Sequence, residues 1–212
     1  MYKIHAALLV VLALVCTTVV KLTGLLPTPT ANIVLAEKSD VVQGGQAAVL
    51  VPNDLSSSQH AILNRAYLQA KADGHPNPEI GQGVLLQESK AGGLASYKVA
   101  GNKGDEYFGL GQIKLGATRE VMSTYPTLWT KYAFHTHTDD ELKANLILNP
   151  TFNIEVTSKY LRILQTRYGF KGRELLNAYN RGPGGVKQVG SDYKYALGAE
   201  AKLAEAKRKG KL

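Results

Sequence analysis

The sequence contains a single cysteine among its 212 residues, and this residue, Cys16, lies in an apolar run near the N-terminus. No intramolecular disulfide can therefore form, and a domain of this size must be held together by its core. Alternation of apolar and polar residues, the pattern of half-buried strands, is also scarce, and residues 97–113 are the one stretch suited to a short hairpin. We therefore predict a mainly helical fold with at most a small hairpin.

Charged residues make up 20% of the chain and hydrophobic residues 44%, which is typical of a globular protein rather than a disordered one. The net charge of +8 favours polyanionic surroundings, and nucleic acid, anionic lipid and the bacterial cell wall all satisfy this condition. Basic residues are concentrated in residues 202–212, which indicates a solvated helix end or electrostatic adhesion to a polyanion. No nucleic-acid-reading module accompanies them, so nucleic acid is not an expected partner.

One uncharged run, residues 6–20, is preceded by Lys3 and His5 and followed by Lys21. It is shorter than the roughly 20 residues that a membrane span needs, but long enough for the core of a signal peptide. We predict a signal sequence or membrane anchor in residues 1–26 and a flexible linker in residues 27–54. Residues 55–212 would then be one exported domain with a basic C-terminal helix, periplasmic or anchored to the inner membrane and facing the periplasm.

Capping and breaking residues predict where the helices of this domain begin and end. Ser57 or Ser58 can cap a first helix that Gly74 ends, and Asn77-Pro78-Glu79 opens a second one. Asn149-Pro150 repeats that opening before a long helix with the apolar set Val156, Tyr160, Ile163, Leu164 and Tyr168. A short helix at residues 173–179 precedes a break at Gly182-Pro183-Gly184-Gly185, and a last helix covers residues 192–209.

Glu88 continues an apolar stripe on the second predicted helix. Ile80, Val84 and Glu88 are spaced four residues apart and so lie along one face. Burial there would raise the pKa of the carboxyl group because the charged form loses water. Gly92-Gly93 would end the helix soon afterwards, so the negative end of the helix dipole would raise the pKa further. The alternative is a carboxylate that reaches solvent or pairs with Lys90.

Four short motifs follow one another along the chain. They are Gln87-Glu88-Ser89, Gly109-Leu110-Gly111-Gln112-Ile113, Asn149-Pro150 with Asn153-Ile154 and Tyr160-Leu161, and Ala178-Tyr179-Asn180-Arg181-Gly182-Pro183-Gly184. Together, over residues 57–190, they resemble the catalytic domain of the soluble lytic transglycosylases in the lysozyme superfamily. The resemblance implies a lysozyme-like α+β domain that cleaves peptidoglycan glycan strands, and neither a metal nor another cofactor is needed.

The resemblance also implies roles for five residues. Glu88 would be the catalytic acid and then base, while Ser89, Gln112, Tyr179 and Asn180 would form the substrate-binding set. Ser89 would orient the end of its helix or simply cap backbone groups. Glu88 would protonate the oxygen between N-acetylmuramic acid and N-acetylglucosamine, then take the proton of the 6-hydroxyl, leaving a 1,6-anhydro end. A single carboxyl group distinguishes this chemistry from that of glycosidases with paired carboxylates.

Two departures from the family pattern are visible. Gly111 stands where the family usually has methionine, so a roomier floor of the cleft is expected. The stretch between Glu88 and Gly109 is longer than usual, and its residues 101–107 form a polar excursion that leaves the alignment of Ser96, the one serine candidate there, open. Gly182 and Gly184 would be backbone turns, and Glu155 a structural hydrogen-bonding or ion-pairing residue.

Other polar and aromatic residues have weaker functional interpretations. A metal site is conceivable at His135, His137, Asp139 and Asp140, but ligands two residues apart in a loop, with no fixed third group, are a weak signal. Trp129, Tyr107 and Tyr132 could stack on sugar rings, although such rings are more often part of a core.

Two rival functions remain open at this point. A hydrolase of the same superfamily would let water attack and produce a reducing end. A non-catalytic component of a virion or secretion machine would keep the fold without the chemistry, against which the intact motifs argue. We expect a monomer that serves wall remodelling, secretion-system assembly or phage lysis.

Overall fold

The computed structural model describes residues 55–93, 99–102, 105–189, 192–210 and 212. The predicted signal or anchor in residues 1–26, the linker in residues 27–54 and Ser96 lie outside the described residues. Within the described part, no helix is both long and apolar enough to cross a membrane.

The described residues form a mainly helical domain with a small sheet, as predicted. In chain order the elements are α1 (Ser57–Ala72), α2 (Glu79–Ser89), β1 (Val99–Asn102), β2 (Asp105–Phe108), β3 (Ile113–Lys114), α3 (Leu115–Thr124), α4 (Thr127–Lys131), α5 (Asp139–Leu148), α6 (Pro150–Thr166), α7 (Gly172–Val189) and α8 (Lys194–Arg208).

The first two helices begin and end close to the predicted signals. The cap of α1 is Ser56 rather than Ser57 or Ser58, because its hydroxyl accepts from the Gln59 amide while the Gln59 side chain accepts from the Ser56 amide. Gly74, with φ of +74°, follows its C-terminal end as expected. The Asn77 side chain accepts from the Glu79 amide at the start of α2.

The hairpin expected within residues 97–113 is confirmed and gains a third strand. β1 and β2 are antiparallel, with Val99 opposite Phe108 and Asn102 opposite Asp105. β2 also pairs with β3, which places Tyr107 opposite Lys114. The described residues of the polar excursion, 101–102 and 105–107, are therefore part of this hairpin, which leads into the loop that precedes β3.

The long helix α6 runs through the main core. Asn149 caps it by accepting from the Phe152 amide, and Pro150 is in its first turn, as the sequence indicates. Phe152, Val156 and Leu161 have no exposed surface. The predicted place of Tyr168 in the apolar set is wrong, because α6 ends at Thr166 and the Tyr168 ring is 42% exposed.

Three helices between residues 115 and 148 were not predicted from the sequence. α3 and α4 begin without a side-chain cap, so the usual starting signal is absent. α5 does carry the signal, because Thr138 accepts from the Glu141 amide and acidic residues fill its first turn. Two of those acidic residues, Asp139 and Asp140, had been considered as metal ligands.

The break predicted at residues 182–185 is confirmed as a kink. Gly182 has φ of +74° and ψ of 163°, outside the helical range, so that α7 consists of two helical pieces. The chain can therefore change direction directly after Asn180 and Arg181. The last helix, α8, then packs on α2 and α7.

A buried polar group joins α1 to α6. His75 is 5% exposed, its Nε2 atom lies 2.9 Å from the Ser158 carbonyl oxygen, and its Nδ1 atom has no hydrogen-bond partner among the described residues. Burial lowers the pKa of His75, and Arg162 acts in the same direction, while the Ser158 carbonyl and Asp73 oppose this shift. The neutral ring is therefore the form that fits the fold.

We predict that His75 makes the fold less stable in mild acid. Because its folded pKa lies below its usual value of 6.5, the unfolded chain binds a proton first as the pH falls, and stability is lost below that pH. The free energy of unfolding of the wild type, minus that of His75→Gln, should decrease between pH 7 and 5 in urea titrations. A difference that does not change with pH would contradict this prediction.

Candidate functional site

Glu88 lies in the last turn of α2, at the end of the predicted apolar stripe. Val84 and Leu85 have no exposed surface, whereas Glu88 is partly buried. The helix ends at Ser89 rather than at Gly92-Gly93, and Lys90 and Ala91 adopt left-handed backbone conformations. The Ala91 amide donates to the Leu85 carbonyl, which satisfies the end of the helix. Glu88 is therefore at the negative end of the α2 dipole.

The partner of Glu88 is a tyrosine of the last helix. The Tyr195 hydroxyl, in the first turn of α8, donates to Glu88 Oε1 over 2.5 Å, and Lys90 makes no such contact. Burial raises the pKa of Glu88 to about 7, although the Tyr195 hydrogen bond and the positive charge of Lys202 act to lower it. Burial and the proximity of Glu88 raise the pKa of Tyr195 well above its usual value, so its hydroxyl remains a donor.

A cavity of about 210 Å³ opens beside Glu88. Its lining comes from α2, from β2, β3 and the loop between them, from the start of α3, from Tyr160 of α6, and from the first half of α7 up to its kink. The side chains that define it are Glu88, Tyr107, Gln112, Lys114, Tyr179, Asn180 and Arg181. Among the described residues that line the cavity, Glu88 is the one with a carboxyl group. A carboxyl group that keeps its proton near neutral pH can protonate a leaving group placed in this cavity.

Asn153 holds the loop that carries Gln112. Its side chain is fully buried; the oxygen accepts from the Gly111 amide over 2.8 Å, and the nitrogen donates to the carbonyl groups of Phe108 and Leu146. Gln112 has φ of +47°, and its side-chain nitrogen donates to the Gly109 carbonyl over 2.8 Å. Asn153, from the motif that begins at Asn149, thus holds the loop of the motif at residues 109–113 in place at the wall of the cavity.

Tyr179 supports the same loop from α7. Its hydroxyl donates to the Gly111 carbonyl over 2.7 Å and lies 3.5 Å from Thr157 Oγ1. The expectation of a roomier floor at Gly111 is wrong, because a Cβ atom at this position would clash with Thr157 Oγ1 and lie 2.9 Å from Tyr179 Oη. The space that a side chain at position 111 would need is therefore filled.

The structure places the remaining members of the predicted set differently. Asn180 is exposed and lines the cavity. Ser89 is fully buried and does not line the cavity; its hydroxyl donates to the Leu85 carbonyl and accepts from the Gly92 amide. Of the two roles considered for Ser89, the cap of backbone groups fits these contacts.

Two other regions that the sequence singled out, Glu155 and the loop at residues 135–137, make contacts that stabilise the fold. Glu155 is buried and accepts from Lys131 and from the Tyr132 hydroxyl, each over 2.5 Å, which is the structural role expected for it. The amides of residues 135, 136 and 137 all donate to Glu141, so its carboxylate organises the loop that was considered for metal binding. Within the part of the chain that the structure describes, no group of three or more histidine, cysteine or acidic residues is arranged to hold a metal ion.

Tyr195 is the site residue that sequence reasoning missed. It lies 107 residues from Glu88 in the chain, in a helix whose buried positions Ala196, Ala199 and Ala206 are otherwise small. When a helix packs through such small residues, the hydroxyl group of a neighbouring tyrosine becomes buried and needs a hydrogen-bond partner. This is the one feature of the sequence that could have indicated a role for Tyr195.

Residues 122–201 match the family model described as Transglycosylase SLT domain. The match confirms the resemblance seen in the motifs for this segment, and the family that it describes is one of lysozyme-like transglycosylase domains that act on peptidoglycan. The matched segment contains Tyr179, Asn180 and Tyr195, whereas Glu88 and Gln112 precede it. No curated protein and no solved structure matches the chain.

We predict that Gly111→Ala destabilises the fold by roughly 1–3 kcal/mol, because the added methyl group overlaps Thr157 and crowds Tyr179. Gly116→Ala is the matched control, since Gly116 lies in the first turn of α3 with no atom within 4 Å of the new methyl group. The control should be neutral or stabilising, as alanine favours helices. Equal stability of the two variants in denaturant titrations would show that the site is not packed as described.

Proposed function

We propose that this chain, whose residues 122–201 match the transglycosylase SLT domain, is a peptidoglycan lytic transglycosylase with Glu88 as its catalytic acid. The observation that carries the proposal is the position of Glu88. It is the one carboxyl group among the described residues lining the cavity, and its pKa of about 7 keeps a large fraction protonated at neutral pH. A hydrolytic mechanism with paired carboxylates would need a second acid in that lining.

The proposed reaction needs only this carboxyl group and the sugar itself. Glu88 gives its proton to the oxygen between N-acetylmuramic acid and N-acetylglucosamine as the bond from C1 to that oxygen breaks. The neighbouring acetamido group stabilises the positive charge that develops at C1. The 6-hydroxyl oxygen then bonds to C1 and returns its proton to Glu88, so the product is a 1,6-anhydro end and no water is consumed.

The surrounding residues would keep the carboxyl group in place and the glycan in register. Tyr195 holds Glu88 Oε1, which leaves the other carboxyl oxygen to face the substrate. Tyr179 acts through the Gly111 carbonyl and thereby through the loop of Gln112. Gln112 and Asn180 line the cavity and are the proposed polar contacts to the sugar. These assignments rest on the geometry around Glu88.

The proposed site of action is outside the cytoplasm. Peptidoglycan lies there, and the apolar residues 6–20 with a basic entry are suited to export or to a weak anchor. We propose a periplasmic or membrane-anchored enzyme that acts in wall remodelling, in the assembly of a secretion machine or in phage lysis.

The mass of the products tests the reaction. Mass spectrometry of digested peptidoglycan should show muropeptides that are lighter by one water than the products of a hydrolase, because the 1,6-anhydro ring forms without water. Glu88→Gln should yield no product, since an amide cannot deliver the proton. Its melting temperature should be unchanged or slightly higher, because the raised pKa of the buried acid costs stability at neutral pH and the amide does not carry this cost.

Three outcomes would contradict the proposal in different ways. Reducing ends alone would establish a hydrolase that still uses Glu88 as its acid. Activity of Glu88→Gln within a few fold of the wild type would remove Glu88 from the chemistry. No product from the wild type would favour the non-catalytic component of a larger assembly.

Tyr195→Phe should shift the pH profile towards alkaline values. A general acid works in its protonated form, so kcat/KM should fall as the pH rises through the pKa of Glu88, near 7. The Tyr195 hydrogen bond lowers that pKa, and its loss should therefore raise the pKa and move the alkaline limb to higher pH.

Tyr193→Phe is the matched control for this shift. Tyr193 lies just before α8 and packs against the main core, but it has no hydrogen bond to Glu88. Its variant should keep the wild-type alkaline limb. If both variants lose activity equally at every pH, Tyr195 supports only the packing of α8.

A further inference from the structure

The cavity beside Glu88 has two cationic residues in its lining. Arg181, next to Asn180 in α7, forms one part of the wall, and Lys114 of β3 forms another, with its ammonium group 4.8 Å from the centre of the Tyr107 ring. The acid in this lining, Glu88, is neutral in its working form. The lining therefore carries net positive charge when the site is ready to react, and a cleft of this kind attracts anionic ligands.

The guanidinium group of Arg181 is held weakly in its present position. Its Nη2 atom lies 3.3 Å from Asp192 Oδ2, and both side chains are well exposed, at 39% and 49%. Exposed pairs of this kind contribute little stability, so the pair can exchange for another carboxylate at little cost. Asp192 would keep a partner after such an exchange, because its Oδ1 atom accepts from the Lys194 amide at the start of α8.

We propose that Arg181 is a specificity-determining residue that binds a carboxylate of the glycan substrate. The identity of that glycan as peptidoglycan rests on the function proposed above. The planar guanidinium group suits carboxylates because it can donate two parallel hydrogen bonds. Carboxylates occur on the muramic acid residues of peptidoglycan, either in the stem peptide or as the lactyl group that remains once the peptide is removed. Arg181 thus selects charged muramyl strands over uncharged glycans of the same length.

Binding measurements in the Glu88→Gln background test this assignment without cleavage. Three probes are compared by calorimetry: peptide-bearing glycan oligomers, the same oligomers after an amidase has removed the peptides, and uncharged chitohexaose. Arg181→Gln should weaken binding of a carboxylate-bearing probe by about tenfold, the loss typical of one charge-assisted hydrogen bond. Binding of chitohexaose should not change.

Arg173→Gln is the matched control. Arg173 lies on the same helix, is 50% exposed and pairs with Glu200, but it does not line the cavity. Its variant should bind all three probes as the Glu88→Gln parent does. Rising salt should also weaken the binding of carboxylate-bearing probes more in the parent than in Arg181→Gln, because ions screen the charge.

The pattern of losses identifies the carboxylate. A loss confined to the peptide-bearing oligomers places Arg181 against the stem peptide, whereas a loss with both oligomers or with the stripped ones places it against the lactyl group. An equal loss for chitohexaose, or no loss for either charged probe, overturns the proposal. If the probes bind as expected but the wild type cleaves none of them, the reaction proposed above fails while the carboxylate contact stands.

Discussion

The burial of one carboxyl group at the end of α2 determines how the rest of the site is built. Glu88 keeps its proton because it is largely buried, and α8 contributes to this burial by packing against α2 and placing Tyr195 against the carboxyl oxygen. Gly83 faces α8, since a Cβ atom at that position would be in ordinary van der Waals contact with Ala199. The same burial has a cost in stability. Between pH 4.5 and about 7 the folded state holds a proton that the unfolded chain releases, so stability decreases as the pH rises through that range.

The rigidity of the opposite wall has a different origin. Asn153 satisfies the Gly111 amide and two carbonyl groups from a fully buried position, and Tyr179 satisfies the Gly111 carbonyl from α7. A buried network whose members are all satisfied allows one arrangement of the loop, because any other would leave polar groups without partners. Gly109 belongs to the same constraint, since a Cβ atom there would overlap the Asn153 side chain. The motif residues are thus coupled by hydrogen bonds rather than by closeness in sequence.

The features of the fold and of the site that the sequence predicted correctly are those whose determining residues lie close together in the chain. The cap at Asn149, the kink at Gly182 and the apolar stripe below Glu88 all arise from residues a few positions apart, and each was confirmed. The helices α3 and α4 lack a side-chain cap, and their boundaries depend on tertiary packing. The Glu88–Tyr195 bond joins residues 107 positions apart, and the filled floor at Gly111 requires α6 and α7 to be in place. Contacts of this kind form only when distant segments pack together, and they leave no repeating pattern in the sequence from which they could be predicted.

The charge of the site follows from the same burial. A carboxylate exposed at the end of α2 would cancel one of the cations at the cavity, and the wall that contains Lys114 and Arg181 would attract an anionic strand less strongly. Because desolvation keeps Glu88 neutral, the condition that makes it an acid also leaves the cavity lining with a net positive charge. As the pH rises past the pKa of Glu88, proton donation and electrostatic attraction weaken together, since one ionisation removes both. Lys202 lies outside the lining and its positive charge lowers the pKa of Glu88, so both properties weaken at a lower pH than burial alone would set. The positive charge of the cavity lining and the raised pKa of Glu88 are therefore coupled properties of a single site.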